Sequence, residues 1–186
     1  ALQSRELRGE RVLLLYPPGL EFIDGFLGSL AAGTIAVPAP LPQFHALDRE
    51  LRRLRQVIVD ADISVVLTTR MVIDALASAT SHIPELAGMT WIATEELPRD
   101  LAASWTELAV DPSSTAFLQY TSGSTSAPRG VMVTHRNLMH NQHAIAEVMG
   151  HTPHLAETWP GAMAVSWLPM FHDMGLIGPV LQTIYT

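Results

Sequence analysis

The 186-residue chain contains no cysteine, which removes disulfides, a thiolate nucleophile and Cys-based zinc sites from consideration. It contains no lysine either: all eleven basic residues are arginines, at 5, 8, 11, 49, 52, 53, 55, 70, 99, 129 and 136. No ammonium group is available as a base, a Schiff-base former or a phosphate ligand, so the Gly-x-x-x-x-Gly-Lys-Ser/Thr phosphate loop is excluded. Charged residues are sparse, at 16%, and an acidic excess leaves a formal charge of −7. Nucleic acid is thus a poor partner, since neutralising phosphates takes clustered cations. The one basic cluster, Arg49, Arg52, Arg53 and Arg55, shares its helix with Asp48 and Glu50 and reads as a solvated face. Every apolar run is too short to span a bilayer, and the first residues lack a basic-then-apolar signal pattern. A cytoplasmic protein without a membrane span is the simplest fit.

What is present is a chain 48% apolar, long enough to bury a core. Short apolar runs alternate with helical patterns. Strands are predicted at 12–16, 35–37, 63–67, 90–93, 115–120 and 162–168. Helices are predicted at 22–30 with Gly33 as a C-cap, at 47–61, at 71–79 and at 135–149. The clearest amphipathic stripe is Leu47, Leu51, Leu54, Ile58 and Ala61. Alternation of this kind implies an α/β fold, a mostly parallel sheet flanked by helices. Residues 98–112 read as a surface connection. The chain opens inside what looks like a helix and stops without a closing signal, as an excised piece of a larger protein would.

Ligands of such sheets sit beyond the carboxyl ends of strands, and there the sequence turns unusual. Between Thr121 and Gly130, eight of ten residues are Gly, Ala, Ser or Thr. Small residues let backbone N–H groups and hydroxyls approach a polyanion such as a nucleotide triphosphate. A polar turn would have the same composition. A second element, Leu-Pro-Met-Phe-His-Asp-Met-Gly at 168–175, places His172 and Asp173 after a strand end, where the chain turns toward a helix. His172 is expected at the same sheet edge, hydrogen-bonding a carboxylate or phosphate, while Asp173 could cap the helix. The histidines at 135, 140, 143, 151 and 154 are not taken as a metal site, since no acidic residue is in register with the first i, i+3 pair. The tryptophans at 91, 105, 159 and 167 are assigned to packing.

Together the two elements resemble the adenylate-forming superfamily of acyl-CoA synthetases, peptide-synthetase adenylation domains and luciferases. Its Tyr-Thr-Ser-Gly-Ser/Thr-Thr-Gly-x-Pro-Lys-Gly loop is matched at Tyr120 to Thr125, Pro128 and Gly130. Its Leu-Pro-x-x-His-x-x-Gly element is matched at Leu168, Pro169, His172 and Gly175. Residues 118–125, 130–138 and 166–177 most resemble fatty acyl-AMP ligases. Ser126 departs from the usual glycine, and Arg129 stands where lysine is common. The resemblance implies that residues 1–186 are part of one AMP-binding N-terminal domain, lacking the rest of that domain and the C-terminal lid domain.

It further implies ATP-dependent activation of a fatty acid to an acyl-adenylate, then transfer to the thiol of an acyl carrier protein, in a polyketide or peptide synthase or standing alone. Thr121, Ser122, Gly123, Ser124, Thr125, Arg129 and Gly130 would hold ATP, and His172 would lie beside the reacting carboxylate and α-phosphate. Mg2+ would be held mainly by a glutamate outside this chain, where a ribose-binding aspartate and a catalytic lysine would also lie. An acyl-CoA synthetase or amino-acid adenylation domain is the alternative. A non-catalytic nucleotide-binding module is the second.

Overall fold

Val12, Leu13, Leu14 and Leu15 are all fully buried. A run apolar on both sides suits a central parallel strand covered by helices on each face. The computed structural model describes residues 1–43, 46–80, 84–121, 128–150 and 163–186, and puts this run at the centre of a sheet. β1 (Arg11–Leu14) pairs in parallel with β2 (Ile35–Pro38) and β3 (Val65–Thr68). β3 pairs in parallel with β4 (Thr90–Ala93), and β2 with β5 (Thr115–Thr121). β6 (Arg129–Thr134) completes the edge antiparallel to β5, so the order is β4-β3-β1-β2-β5-β6.

Successive residues of β1 supply two different cores, as strand geometry requires. Val12 and Leu14 pack with Phe22 and Phe26 of α1 (Leu20–Ala31), Phe117 of β5, Leu138 of α5 (His135–Met149), and Leu176. Leu13 and Leu15 face the other side, against Leu51, Leu54, Val57 and Ile58 of α2 (Leu47–Asp60). α3 (Arg70–Thr80) and α4 (Pro84–Ala87) extend that layer through Val72, Leu76 and Leu86. Gly33 follows α1 with a left-handed φ of 72°, which a side chain would strain. Thr134 and Asn137 exchange hydrogen bonds in a capping box that starts α5. Among the described residues no helix is long and apolar enough to cross a membrane.

Three expectations are corrected. Residues 129–134, absent from the predicted strands, form one ahead of the helix expected at 135–149. The connection from Thr121 to Arg129 is too short for a crossover, so the chain returns antiparallel. The predicted strand at 162–168 does not form over its described part, and Met163, Val165 and Trp167 are 85%, 82% and 89% exposed. Alternation supplies an apolar face, but a strand also needs a neighbouring ladder, and none pairs with it among the described residues. Trp167 and half-exposed Trp105 are therefore not core packing residues. Trp105 instead donates its indole N–H to the Ala31 carbonyl at 3.0 Å, helping to hold the surface connection expected at 98–112 against α1. Trp91 is half-buried and donates to the Leu86 carbonyl at 3.1 Å; Trp159 lies outside the described residues.

Candidate active site

β5 carries the chain from the core to the site. Ala116 and Phe117 are fully buried, whereas Thr121 at its carboxyl end is exposed. Phe117 points into the α1 core, while Leu118 and Tyr120 pack toward the α2 core. At this sheet edge a cavity of about 370 Å³ opens between the two layers. Pro38 lines it from the end of β2 with Ala39 and Pro40 just beyond, Glu50, Arg53, Leu54 and Val57 from α2, and Gln119, Tyr120 and Thr121 from β5. Phe171, His172 and Asp173 complete the wall. Thr121 and His172, 51 positions apart in sequence, thus share one cavity at the carboxyl edge of the sheet.

Tyr120 is fixed on two sides. Its phenol donates to Asp60 Oδ2 at 2.5 Å, joining β5 to the end of α2. Burial first, and then the Asp60 carboxylate, push its pKa well above the ordinary phenol value. Across the ladder its register partner is Gly130, where a Cβ would come within 2.9 Å of the Tyr120 ring. Glycine at 130 therefore lets the ring lie flat over β6. Arg129 is exposed and pairs in register with Thr121. The remaining predicted loop residues, Ser122, Gly123, Ser124 and Thr125, lie outside the described residues, as does Ser126.

His172 sits on a braced turn. Its N–H donates to the Pro169 carbonyl at 3.1 Å, and its carbonyl accepts from Leu176 N–H at 2.8 Å. Gly175 closes this turn against Pro169, whose carbonyl oxygen would lie 2.1 Å from a Cβ at that position. That contact is a steric reason for glycine three residues after the histidine. His172 is the N-cap of the short helical turn Asp173–Gly175. Its Nδ1 lies 2.5 Å from Asp173 Oδ1. Met174 N–H donates to Asp173 Oδ1 at 2.7 Å and also lies 3.3 Å from His172 Nδ1, so both side chains converge on one backbone donor. Asp173 thus shares the capping of this turn with His172, and its carboxylate lies beside the imidazole.

Several wall residues were not picked out as site residues from the sequence. Gln119 carried a signal, being a polar residue in the apolar run of β5 that the structure finds only 7% exposed. Arg53 carried none that separated it from its neighbours. Arg49 and Arg55 form surface ion pairs with Glu50 at 3.2 Å and Glu85 at 2.6 Å, as a solvated face should. Arg53 is exposed but lines the cavity, and makes no ion pair among the described residues. A second cavity, of about 530 Å³, lies between α1 and residues 101–106 and contains none of the predicted site residues. Among the described residues no group of three His, Asp or Glu could hold a metal ion.

The profile of the family described as AMP-binding enzyme matches residues 1–186. The chain belongs to the AMP-binding enzyme family. This AMP-binding chain is 41% identical, over its whole length, to a medium-chain-fatty-acid–[acyl-carrier-protein] ligase, JamA, of Moorena producens, and covers 30% of that protein. It is 42% identical over 94% of its length to a putative fatty-acid–CoA ligase of Mycobacterium leprae, again covering 30%. Among solved structures it matches a fatty acyl-adenylate ligase of L. pneumophila, in complex with acyl adenylate and pyrophosphate. There the TM-score is 0.77 at 35% identity, covering 99% of this chain and 30% of that one. The chain thus spans about a third of the length of these relatives.

Proposed function

We propose that residues 1–186 are part of the N-terminal domain of a fatty acyl-AMP ligase and supply one wall of its adenylation site. The observation that carries this is the meeting of Thr121 and His172 in one cavity at the carboxyl edge of the sheet. A fatty carboxylate oxygen attacks the α-phosphorus of ATP, the bond to the bridging oxygen breaks, and pyrophosphate leaves with that electron pair. The thiol of a phosphopantetheine on an acyl carrier protein then attacks the acyl carbon, and AMP departs.

Charge gathers on the triphosphate in the first step, so positioned donors lower its barrier. N–H and hydroxyl groups of Thr121, Ser122, Gly123, Ser124 and Thr125 take the β- and γ-phosphates. Arg129, in register with Thr121 at the loop's base, brings a cation to the same oxygens. Gly130 keeps Tyr120 seated and so fixes where the loop leaves the sheet. His172, with Asp173 against its Nδ1, lies beside the reacting carboxylate and α-phosphate. Among the described residues no group of three His, Asp or Glu gathers to hold a metal ion, and the main Mg2+ ligand is assigned to a glutamate outside residues 1–186.

The name of the JamA relative supports a carrier-protein acceptor, and that of the Mycobacterium relative supports CoA. The residues at 118–125 and 166–177 favour the first. The full-length protein, given a fatty acid and ATP and then offered CoA or a holo carrier protein, is expected to acylate the carrier. Efficient acyl-CoA formation would reverse that assignment, and failure to form any acyl-adenylate would leave only the non-catalytic module.

A further inference from the structure

Among the described residues that line the cavity, one polar side chain is buried. Gln119 is 7% exposed, two residues before Thr121 on β5, and lines the cavity. Its Nε2 donates to the carbonyl of Phe171 at 3.2 Å, across 52 positions of sequence. Phe171 is the residue immediately before His172. From the geometry we infer that Gln119 is a positioning residue, which sets His172 relative to Thr121 at the end of β5. The inference rests on the reading of His172 given above.

The argument is one of rigid parts and the joint between them. The turn from Pro169 to Leu176 is braced internally through both backbone groups of His172 and through the close approach of Gly175 to Pro169. It therefore moves as a unit. β5 is equally firm, laddered on both sides and anchored by Tyr120 to Asp60. Apolar contacts of Met170 and Phe171 with the α1 core hold the unit against the sheet, but such contacts are non-directional and permit sliding. A hydrogen bond from a buried amide does not. Displacing Phe171 would take from the buried Gln119 amide its carbonyl partner, at the cost of a directional bond. Gln142 repeats the device six residues further on, donating to the Ile177 carbonyl at 3.0 Å from a side chain that is also buried. The segment that carries His172 is thus pinned by directional bonds at the point nearest the site.

The test is a double-mutant cycle in the full-length protein, reading fatty-acid-dependent ATP–pyrophosphate exchange. Gln119→Leu is expected to lower kcat about 10- to 100-fold, with KM for ATP changed less than about threefold, as a misplaced reacting group would. In a His172→Ala background the same substitution is expected to cost less than about twofold, because the group it positions is gone. Equal losses in both backgrounds would overturn the inference and make Gln119 a packing residue. Wild-type exchange by His172→Ala alone would overturn the reading of the site itself, which keeps the two failures apart. Gln119→Met, closer in shape, repeats the cycle alongside a thermal melt of every variant; unfolding of both Gln119 variants would assign the residue to stability and also overturn the inference.

Discussion

The centre of the sheet and the segment from 163 to 168 carry similar sequence and opposite fates. Both are rich in large apolar residues. Val12 to Leu15 are fully buried between two helical layers, whereas Met163, Val165 and Trp167 are more than four-fifths exposed. The central run has parallel partners on both sides, and the later one has no ladder partner among the described residues. Apolar pattern states which residues gain from burial. It does not state whether a surface exists to bury them.

Substitutions at the two places should therefore differ by most of the range seen for single mutations. Leu14→Ala leaves a cavity in a fully buried site, and a urea titration should read a loss of about 3 kcal/mol. A loss below about 1 kcal/mol would mean that the centre repacks freely and would break the comparison.

Alkaline pH sharpens it at intermediate strength. Tyr16, 4% exposed just beyond β1, and Tyr120, half-buried near the edge, both have pKa values raised above 10, chiefly by burial. An unfolded chain ionises these phenols first. Stability is thus fully present below pH 10 and falls as pH rises past it toward the folded-state values. Tyr16→Phe should flatten that fall more than Tyr120→Phe, measured as denaturation midpoints between neutral and alkaline pH. The reverse order would place the tighter site at the edge.

The smallest effect belongs to Trp167→Ala, expected to shift the stability of this chain by no more than about 0.5 kcal/mol. A loss like that of Leu14→Ala would show the indole covered in solution, and the two regions would no longer differ.

Much of the sheet was legible because parallel strands buried on both faces leave uninterrupted apolar runs, as at Val12 and Val65, and because the stripe of α2 repeats at helical spacing. β6 was not legible. Val131, Met132 and Val133 are too few to show a period, and their pairing follows from the short connection back to β5. At the site, Thr121 and His172 were found through motif spacing, while Ser122 to Thr125 lie outside the described residues. Gln119 stood out only as a polar residue in an apolar strand, and nothing local marked Arg53 as part of the wall.

The sequence by itself determined the two layers of the fold, the residues that enter the core, and the family, because periodicity and motif spacing are properties of a local stretch of chain. It also settled what is chemically absent, since no fold can supply a thiol or an ammonium from residues that are not there. Only the tertiary structure decided that β5 returns as an edge hairpin, that Tyr120 is gripped by Asp60, and that Gln119 reaches Phe171. The last two depend on which surfaces meet across 60 and 52 positions of chain, and contacts of that range are set by packing rather than by any local pattern.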